Sequence, residues 1–299
     1  MAGTKEIKSH IASVQETRKI TNAMYLISST KLRKARADLD HTRPYFKALR
    51  GEIKRIFRTA DRIDSHYFFA DDDHDHLEGA CACLVITADK GLAGAYNQNA
   101  IREAQRLKEE FPEMQFFVVG EYGRHFFAQH RIPIEQSFLY TAQNPTMQRA
   151  REISALLLGG FDTGKFNQIF VVYTDMENAM SFRAQSTRLL PFHRKFFADT
   201  TDAPVDSPFE FVPNVRAVLD NMVQSYVSGF IYSALIDSFC CEQNARMTAM
   251  DSANQNAEKL LGELSLEFNR VRQAAITQEI TEVSAGARAQ RKNHQKNER

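Results

Sequence analysis

The sequence predicts a mixed α/β fold in which long N- and C-terminal helices form an antiparallel coiled coil, with a Rossmann-like α/β domain inserted between them. Three observations predict it. Apolar residues near the N terminus recur at heptad spacing, strand and helix patterns alternate in the middle, and the last 86 residues contain no proline. Heptad repeats are typical of coiled coils, and strands that alternate with helices are typical of a mostly parallel sheet.

The N-terminal segment is predicted to be one long helix. Steps of four and three residues alternate over more than four heptads, at Ile7, Ile11, Val14, Arg18, Thr21, Tyr25, Ser28, Leu32, Ala35 and Leu39. Pro44 is expected to kink or interrupt this helix, because proline removes a backbone donor and clashes with the preceding turn. The apolar pattern resumes through Ile53, Ile56 and Phe57.

The middle of the chain is predicted to be the α/β domain. It follows a polar breaker, DDDHDHLEGA, and its predicted strands are CLVITAD, FFVVG, a segment around Ile134 and QIFVVYTD. Helical patterns are expected at about residues 95–110, 122–129 and 146–158. Residues 182–190 are expected to add an edge strand.

The C-terminal segment is predicted to be a second long helix, because no proline follows Pro213 and because Pro213 itself suits a first helical turn. Its apolar seam comprises Met247, Met250, Ala257, Leu261, Leu264, Phe268, Val271 and Ala275. About 75 helical residues at about 1.5 Å each would span about 110 Å, several times the width of such an α/β domain. The predicted organisation is an N-terminal helix at residues 1–60, a linker at 61–80, the α/β domain at 81–206, a C-terminal helix at 207–287 and a basic tail at 288–299.

Composition and charge indicate a globular, water-soluble protein with polarised ends. Hydrophobic residues make up 43% and charged residues 25% of the chain, and its formal net charge is +1. Residues 1–58 carry 14 Lys/Arg against 5 Asp/Glu, whereas residues 209–285 carry 5 against 10. The two ends are therefore expected to lie beside each other or to face charged partners. The N-terminal sequence MAGTKEIKSH lacks the apolar core of a secretory signal, and the four cysteines suggest a reduced, cytoplasmic setting.

The glycine-containing motifs do not predict a nucleotide site. GGFDTGKF fits G-x-x-x-x-G-K, but Phe166 replaces the Ser or Thr that would hold magnesium, and the motif precedes a strand instead of following one. We expect a helix-to-strand turn there. ADKGLAGAYN follows the first strand, where a doubly wound sheet binds ligands, but its glycines do not fit G-x-G-x-x-G. A tight loop at the end of the strand is expected, and no cofactor is predicted.

Metal and catalytic sites are also not predicted. DDDHDHLEG lacks the glycine and distal glutamate of a calcium loop, so we expect a solvated loop. The histidines are scattered, and no nucleophile is paired with a base. The basic run STKLRKAR could contact phosphates, but it lacks the interleaved aromatic residues that stack on bases. The pattern favours an interaction or mechanical protein, with a nucleic-acid-binding coiled coil and a nucleotide-dependent α/β enzyme as alternatives.

Three stretches resemble the gamma-subunit family of F-type ATP synthases, the central rotor. They are KSHIASVQETRKITNAMYLISSTKLRKAR near the start, ITADKGLAGAYNQN after the first strand, and EQNARMTAMDSANQNAEKLLGELSLEFNRVRQAAITQEITEVSAGA near the end. The last is long and specific. The basic tail and the run LISST depart from the family pattern. The sequence lacks the cysteine insertion of the chloroplast type and a transit peptide, so a bacterial type is expected.

The resemblance implies a non-catalytic subunit that couples ion flow through a membrane c-ring to conformational changes at beta-subunit catalytic sites. It implies alpha and beta subunits, an epsilon subunit and the c-ring as partners. It also implies a location at the cytoplasmic face of the bacterial cell membrane, which the chain meets only through the c-ring. Residues that match contact positions of the family are Met24, Arg246, Arg272, Gln273, Thr277, Glu279 and Glu282. The loop at residues 89–97 is expected to approach the hexamer.

The stretch RVRQAAITQEITEVSAGA, residues 270–287, has no clear apolar stripe. It alternates small apolar residues with Gln, Thr and Glu, whereas a helix packed on a core shows one apolar and one polar face. A mosaic of this kind offers many weak contacts of about 1 kcal/mol or less each. Such a surface is suited to a helix that turns inside a sleeve without sticking at one angle.

Overall fold

The computed structural model describes residues 2–59, 65–69, 79–176, 182–192, 211–212 and 214–297. The chain forms two units. One, here named the paired-helix unit, comprises Met1–Ile27 and Thr248–Arg299, and the other, the α/β unit, comprises Ser28–Met247. Pro213 and residues 71–78, for which a helix start and a solvated loop are expected, lie outside the described residues.

The elements follow the predicted order and confirm the fold class. They are α1 (Ala2–Thr59), β1 (Cys81–Ile86), α2 (Tyr96–Glu110), β2 (Met114–Val119), α3 (Glu121–Gln129), α4 (Met147–Asp162), β3 (Gln168–Met176), β4 (Phe182–Leu190) and α5 (Val215–Asn297). The helix α5 continues through residues 288–297 of the predicted basic tail. No helix in the described part of the chain is both long and apolar enough to cross a membrane.

The sheet has the strand order β2-β1-β3-β4. Strand β1 is parallel to both β2 and β3. Strand β4 is the edge strand that the sequence predicts, and it is antiparallel to β3. The strand expected around Ile134 is wrong, since this residue forms only an isolated bridge with Phe116. The preceding residue is Pro133, which has no N–H to extend a ladder.

Two apolar layers cover the faces of this sheet. On one face Val85, Ile101 and Phe127 belong to a cluster that joins β1 to α2 and α3. On the other face a larger cluster joins β1 and β3 to α4 and to parts of α1 and α5, with Leu84 and Ile231 among its fully buried members. The α/β unit is therefore organised around the sheet, with both long helices entering its core.

The helix α1 runs through Pro44 without interruption, so the expected interruption is wrong, and the alternative of a kink stays a prediction. The residues that follow explain why. Phe46 packs against the larger core cluster, and Ile53 and Ile56 are buried within it. Tertiary packing therefore outweighs the backbone hydrogen bond that proline removes.

The contact between α1 and α5 in the α/β unit is close because residue 229 is glycine. A Cβ at Gly229 would lie 1.8 Å from the nearest ring carbon of Phe46, far inside van der Waals contact. The missing side chain therefore makes room for the aromatic ring of the neighbouring helix.

In the paired-helix unit α1 and α5 are antiparallel. Arg18 Nη1 lies 3.2 Å from Glu258 Oε1, and the Thr21 hydroxyl donates to Asn254 Oδ1, so the partner number falls as the position in α1 rises. These two pairs occupy the polar interruptions of the N-terminal heptads. The predicted seam of α5 is confirmed in this unit, because Met250, Ala257, Leu261, Leu264, Phe268, Val271 and Ala275 are all buried or half-buried.

Candidate functional site

The first candidate region is the exposed segment of α5, defined here as residues 270–288. Only Val271 and Ala275 in it are half-buried, and every residue from 276 to 288 is exposed. Apolar residues share this exposure: Ile280 is 61% exposed and Val283 is 73% exposed. The segment is helical throughout, but within the chain it presents nearly its whole circumference to the surroundings.

Several polar side chains of the exposed segment bond to their own helix. The Thr277 hydroxyl donates to the Gln273 carbonyl at 2.9 Å, and the Thr281 hydroxyl donates to the Thr277 carbonyl at 2.8 Å. Gln278 Nε2 donates to Glu282 Oε1 at 2.9 Å. Because the Thr277, Thr281 and Gln278 donors already have partners one turn away, these three groups are weak attachment points for another molecule.

The sequence-predicted contact residues fall into both units. Arg272, Gln273, Thr277, Glu279 and Glu282 all lie exposed on the exposed segment, and the Arg272 guanidinium sits 6.0 Å from the centre of the Phe268 ring. Met24 is half-buried on α1 in the paired-helix unit. Arg246 belongs to the α/β unit and is only 8% exposed.

The second candidate region is the loop that follows β1, named here the β1–α2 loop and comprising residues 87–97. The carboxylate of Asp89 accepts hydrogen bonds from the backbone N–H groups of Glu121, Ala142 and Gln143, at 3.0–3.2 Å. Asn97 Oδ1 accepts from the Ala88 N–H at 2.8 Å. These bonds tie the loop to the start of α3 and to the chain before α4.

The β1–α2 loop has an unusual backbone at Leu92. This residue has a φ of 61°, which L-residues other than Asn and Asp seldom adopt, and its side chain is 64% exposed. The next residue, Ala93, is buried. The loop is therefore held in a shape that displays an apolar side chain to the surroundings.

Arg246 reaches the same loop from α5. Its Nη2 donates to the carbonyls of Lys90 and Gly91 at 3.2 and 3.1 Å, and its Nη1 donates to Glu242 Oε1 at 2.5 Å. Glu242 is only 4% exposed, and its other carboxylate oxygen has no hydrogen-bond partner among the described residues. Burial raises the pKa of Glu242 above its ordinary value, and the Arg246 charge opposes that rise.

The crevice where a doubly wound sheet binds ligands is filled in this chain. In an open α/β sheet that crevice lies beyond the carboxyl ends of the strands at the point where the strand order reverses, which here is between β1 and β3. Cys241 and Ala245 of α5 pack there against Ala88, Ala93 and Tyr96. The chain's own helix therefore occupies the place of a nucleotide.

The remaining motif is a helix-to-strand turn, as the sequence predicts. Gly159 lies inside α4, Thr163 caps its C-terminus, and Gly164 adopts a φ of 72° before β3 begins. Phe166, which stands at the Ser/Thr position of a phosphate loop, is buried. In the described part of the chain, no three acidic, His or Cys side chains converge as metal ligands would.

Glu242 and Asn97 are functional candidates that the sequence reasoning missed. The signal for Glu242 was present, since a glutamate four residues before an arginine shares its helical face and favours an ion pair. Asn97 carries a weaker signal, because asparagine bonds readily to backbone groups around turns. Neither pattern indicates that the partner of Arg246 is a loop 155 residues earlier in the chain.

The comparisons with known proteins agree with this architecture. A sequence model of the ATP synthase family matches residues 3–290. The ATP synthase gamma chain of Acetivibrio thermocellus is 37% identical over 295 residues, which cover 97% of this chain and 99% of the relative. That of Caldanaerobacter subterraneus subsp. tengcongensis is 39% identical over 295 residues, covering 95% and 99%. A rotor chain of Euglena gracilis mitochondrial ATP synthase shares the fold, with a TM-score of 0.61 at 15% identity, covering 92% of this chain and 99% of that one. This chain belongs to the ATP synthase gamma chain family.

Proposed function

We propose that this chain is the non-catalytic central-stalk rotor subunit of an F-type ATP synthase. It couples ion flow through a membrane c-ring to conformational changes at catalytic sites carried by beta subunits. Its partners are a hexamer of alpha and beta subunits, an epsilon subunit and the c-ring. It acts at the cytoplasmic face of a bacterial cell membrane, as a peripheral subunit that meets the membrane through the c-ring.

The observation that carries this proposal is the surface of the exposed segment. In the described part of the chain, residues 276–288 of this helix are all exposed, so they gain little from tertiary packing, which normally supplies most helical stability. An enclosing sleeve of other subunits accounts for such a helix. Because the Thr277, Gln278 and Thr281 side chains are bonded within the helix, their contacts with the surrounding subunits are individually weak, and the helix can turn without a deep energy minimum at any angle.

Coupling also needs an asymmetric surface. Chemically identical beta subunits acquire different affinities only if the rotor presents a different face to each, and a difference of about 1.4 kcal/mol already changes binding tenfold. At about 100° per residue, Glu279 and Glu282 lie within about 60° of each other around the helix, and Arg270 lies on the side opposite Glu279, so the faces of the exposed segment differ in charge. We assign subunit contact to Arg272, Gln273, Thr277, Glu279 and Glu282 on this ground.

Met24 and Arg246 are each assigned a part in coupling, in different ways. Met24 is half-buried on α1, where a flexible thioether side chain can adjust to a changing partner. Arg246 is buried, so it acts through the β1–α2 loop that it holds, with exposed Leu92 as the contacting side chain. This loop is proposed to approach the hexamer.

The first test is ATP hydrolysis by cognate alpha and beta subunits, reconstituted with the full chain, with a chain lacking residues 270–299, or without the chain. We expect strong stimulation by the full chain and its loss on the truncation. A chain lacking only residues 289–299 is the matched control, because it keeps the whole exposed segment, and it should stimulate as the full chain does. Equal stimulation by the two truncations would contradict the coupling role, and the absence of assembly with the full chain would overturn the function.

A further inference from the structure

We propose that Glu242 and Arg246 are positioning residues that transmit torque between α5 and the sheet of the α/β unit by clamping the β1–α2 loop, an inference that rests on the rotor function proposed above. The clamp is defined as these two side chains together with the carbonyls of Lys90 and Gly91. All four residues belong to the α/β unit.

Glu242 orients the guanidinium of Arg246. The carboxylate lies one helical turn before Arg246 and accepts from Nη1 at 2.5 Å, which fixes the plane of the guanidinium. With that plane fixed, Nη2 points at two successive carbonyls, Lys90 and Gly91, at 3.2 and 3.1 Å. Arginine suits this task because its donors form a rigid planar fork, which lysine lacks.

The β1–α2 loop that the clamp holds is itself fixed to the sheet. The Thr87 N–H and the Thr87 hydroxyl both donate to the Val119 carbonyl at the end of β2, and Asp89 binds the backbone at the start of α3. If α5 moved relative to the sheet, the hydrogen bonds from Arg246 to the Lys90 and Gly91 carbonyls would therefore have to stretch, because the loop cannot move with the helix.

Polar and apolar contacts between α5 and the sheet respond differently to a mechanical load. The same stretch of α5 also touches the sheet through Cys241 and Ala245, which pack against Ala88, Ala93 and Tyr96. Apolar attraction is non-directional, so small side chains can slide past one another at little cost, whereas hydrogen bonds weaken steeply with distance and angle. The clamp therefore supplies the directional resistance that this smooth contact lacks.

The burial of the pair is consistent with a mechanical role. Side-chain exposure is 5% for Glu242 and 10% for Arg246, so solvent hardly screens their attraction. Lys31 and Asp89 also act on the Glu242 carboxylate, with opposite signs. A buried ion pair contributes little net stability compared with apolar replacements, so maximal fold stability does not account for this one.

The test uses the assembled ion-translocating complex with a double variant, Glu242→Gln with Arg246→Met. Removing both charges avoids leaving one of them buried alone, so the fold should survive. The matched control is Glu52→Gln with Arg55→Met, which removes another intrahelical Glu–Arg pair of the α/β unit whose side chains are about half exposed. Arg246→Lys is a further variant, which keeps the charge opposite Glu242 but loses the fork.

Two readouts separate a clamp from a merely structural pair. Hydrogen exchange of the peptide covering residues 88–97 in the complex should accelerate at least about tenfold in the double variant, as expected when a charge-assisted hydrogen bond is lost. Ions pumped per ATP hydrolysed should fall at least about twofold, while hydrolysis itself continues. The control should change neither quantity, and Arg246→Lys should change both in part.

The outcomes distinguish this inference from the function on which it rests. If the wild-type chain supports pumping and the double variant pumps as many ions per ATP, the clamp is overturned and the rotor function stands. The clamp is also overturned if hydrogen exchange of residues 88–97 is unchanged in the double variant. If the double variant does not assemble, the same measurement on Arg246→Lys decides. If the wild-type chain supports no stimulated hydrolysis, the rotor function itself fails.

Discussion

Two stretches of the single helix α5 differ completely in their surroundings. Between residues 231 and 246 every residue except Ser233 is buried, including Asp237, Glu242 and Arg246. Between residues 276 and 288 every residue is exposed, including Ile280 and Val283. The first stretch crosses the core of the α/β unit, and the second belongs to the paired-helix unit. Polarity alone therefore does not decide which part of this helix is buried.

The difference teaches how the two stretches divide the work of a rotor. The buried stretch uses directional bonds, such as those of Arg246 to the β1–α2 loop, which favour one arrangement. The exposed stretch bonds its hydroxyls to its own backbone and favours no particular external partner geometry. A rotor needs both properties, because torque must enter the helix rigidly and leave it through contacts that can change.

The largest expected effect comes from removing an isoleucine in each stretch. Ile231→Ala should lower the free energy of unfolding by about 2–5 kcal/mol, because the residue is fully buried and its loss leaves a cavity. Ile280→Ala should change it by about 0.5 kcal/mol or less, since that side chain is 61% exposed. Denaturant unfolding of the two variants checks the comparison. Similar losses at both positions would mean that the second stretch has intrachain partners.

Alanine substitutions at two glycines of α5 should change the stability of the chain by an intermediate amount and in opposite directions. Gly229→Ala should cost about 1–3 kcal/mol, because the new Cβ would lie 1.8 Å from the Phe46 ring carbon and force the ring to move. Gly262→Ala meets no atom within 4 Å and should stabilise the chain by about 0.5–1 kcal/mol through helix propensity. Thermal unfolding measures both. Stabilisation by Gly229→Ala would show that Phe46 can withdraw freely.

The sequence predicted those features that repeat along the chain. The heptad positions of α5 and the edge strand β4 were both found where periodicity and composition placed them. Even the interruptions at Arg18 and Thr21 are explained by their partners across the paired helices, Glu258 and Asn254. Periodicity reports which side of a helix meets a neighbour, and it is visible within a few turns of sequence.

The sequence could not predict features that depend on distant partners. Arg246 was assigned to subunit contact, but whether an arginine is exposed depends here on a loop 155 residues away. The helix through Pro44 has the same origin, because core packing outweighs a local breaker there. The missing strand at Ile134 has a local cause instead, since the neighbouring Pro133 limits the ladder to one bridge.

The smallest expected effect on stability tests the idea that the exposed segment must avoid an apolar stripe. Gln273→Leu, Thr277→Leu and Thr281→Leu together would create one, since these positions follow each other at four-residue spacing. Each change should alter the free energy of unfolding of the chain by about 0.5 kcal/mol or less, because the positions are exposed. In the assembled complex, however, the apolar stripe should bind the surrounding subunits most tightly at one rotational angle. Stimulated ATP hydrolysis should therefore become slower.

The matched control for the stripe replaces the same three residues by alanine, which keeps the helix but adds little apolar surface. This variant should hydrolyse ATP faster than the leucine variant, because a smooth surface leaves each angle similar in energy. If instead the leucine variant turned over as fast as the wild type while the alanine variant slowed, the polar groups of Gln273 and Thr277 would act as specific attachments. The exposed segment would then work by engaging its partners at defined angles, and the contrast with the buried stretch of α5 would disappear.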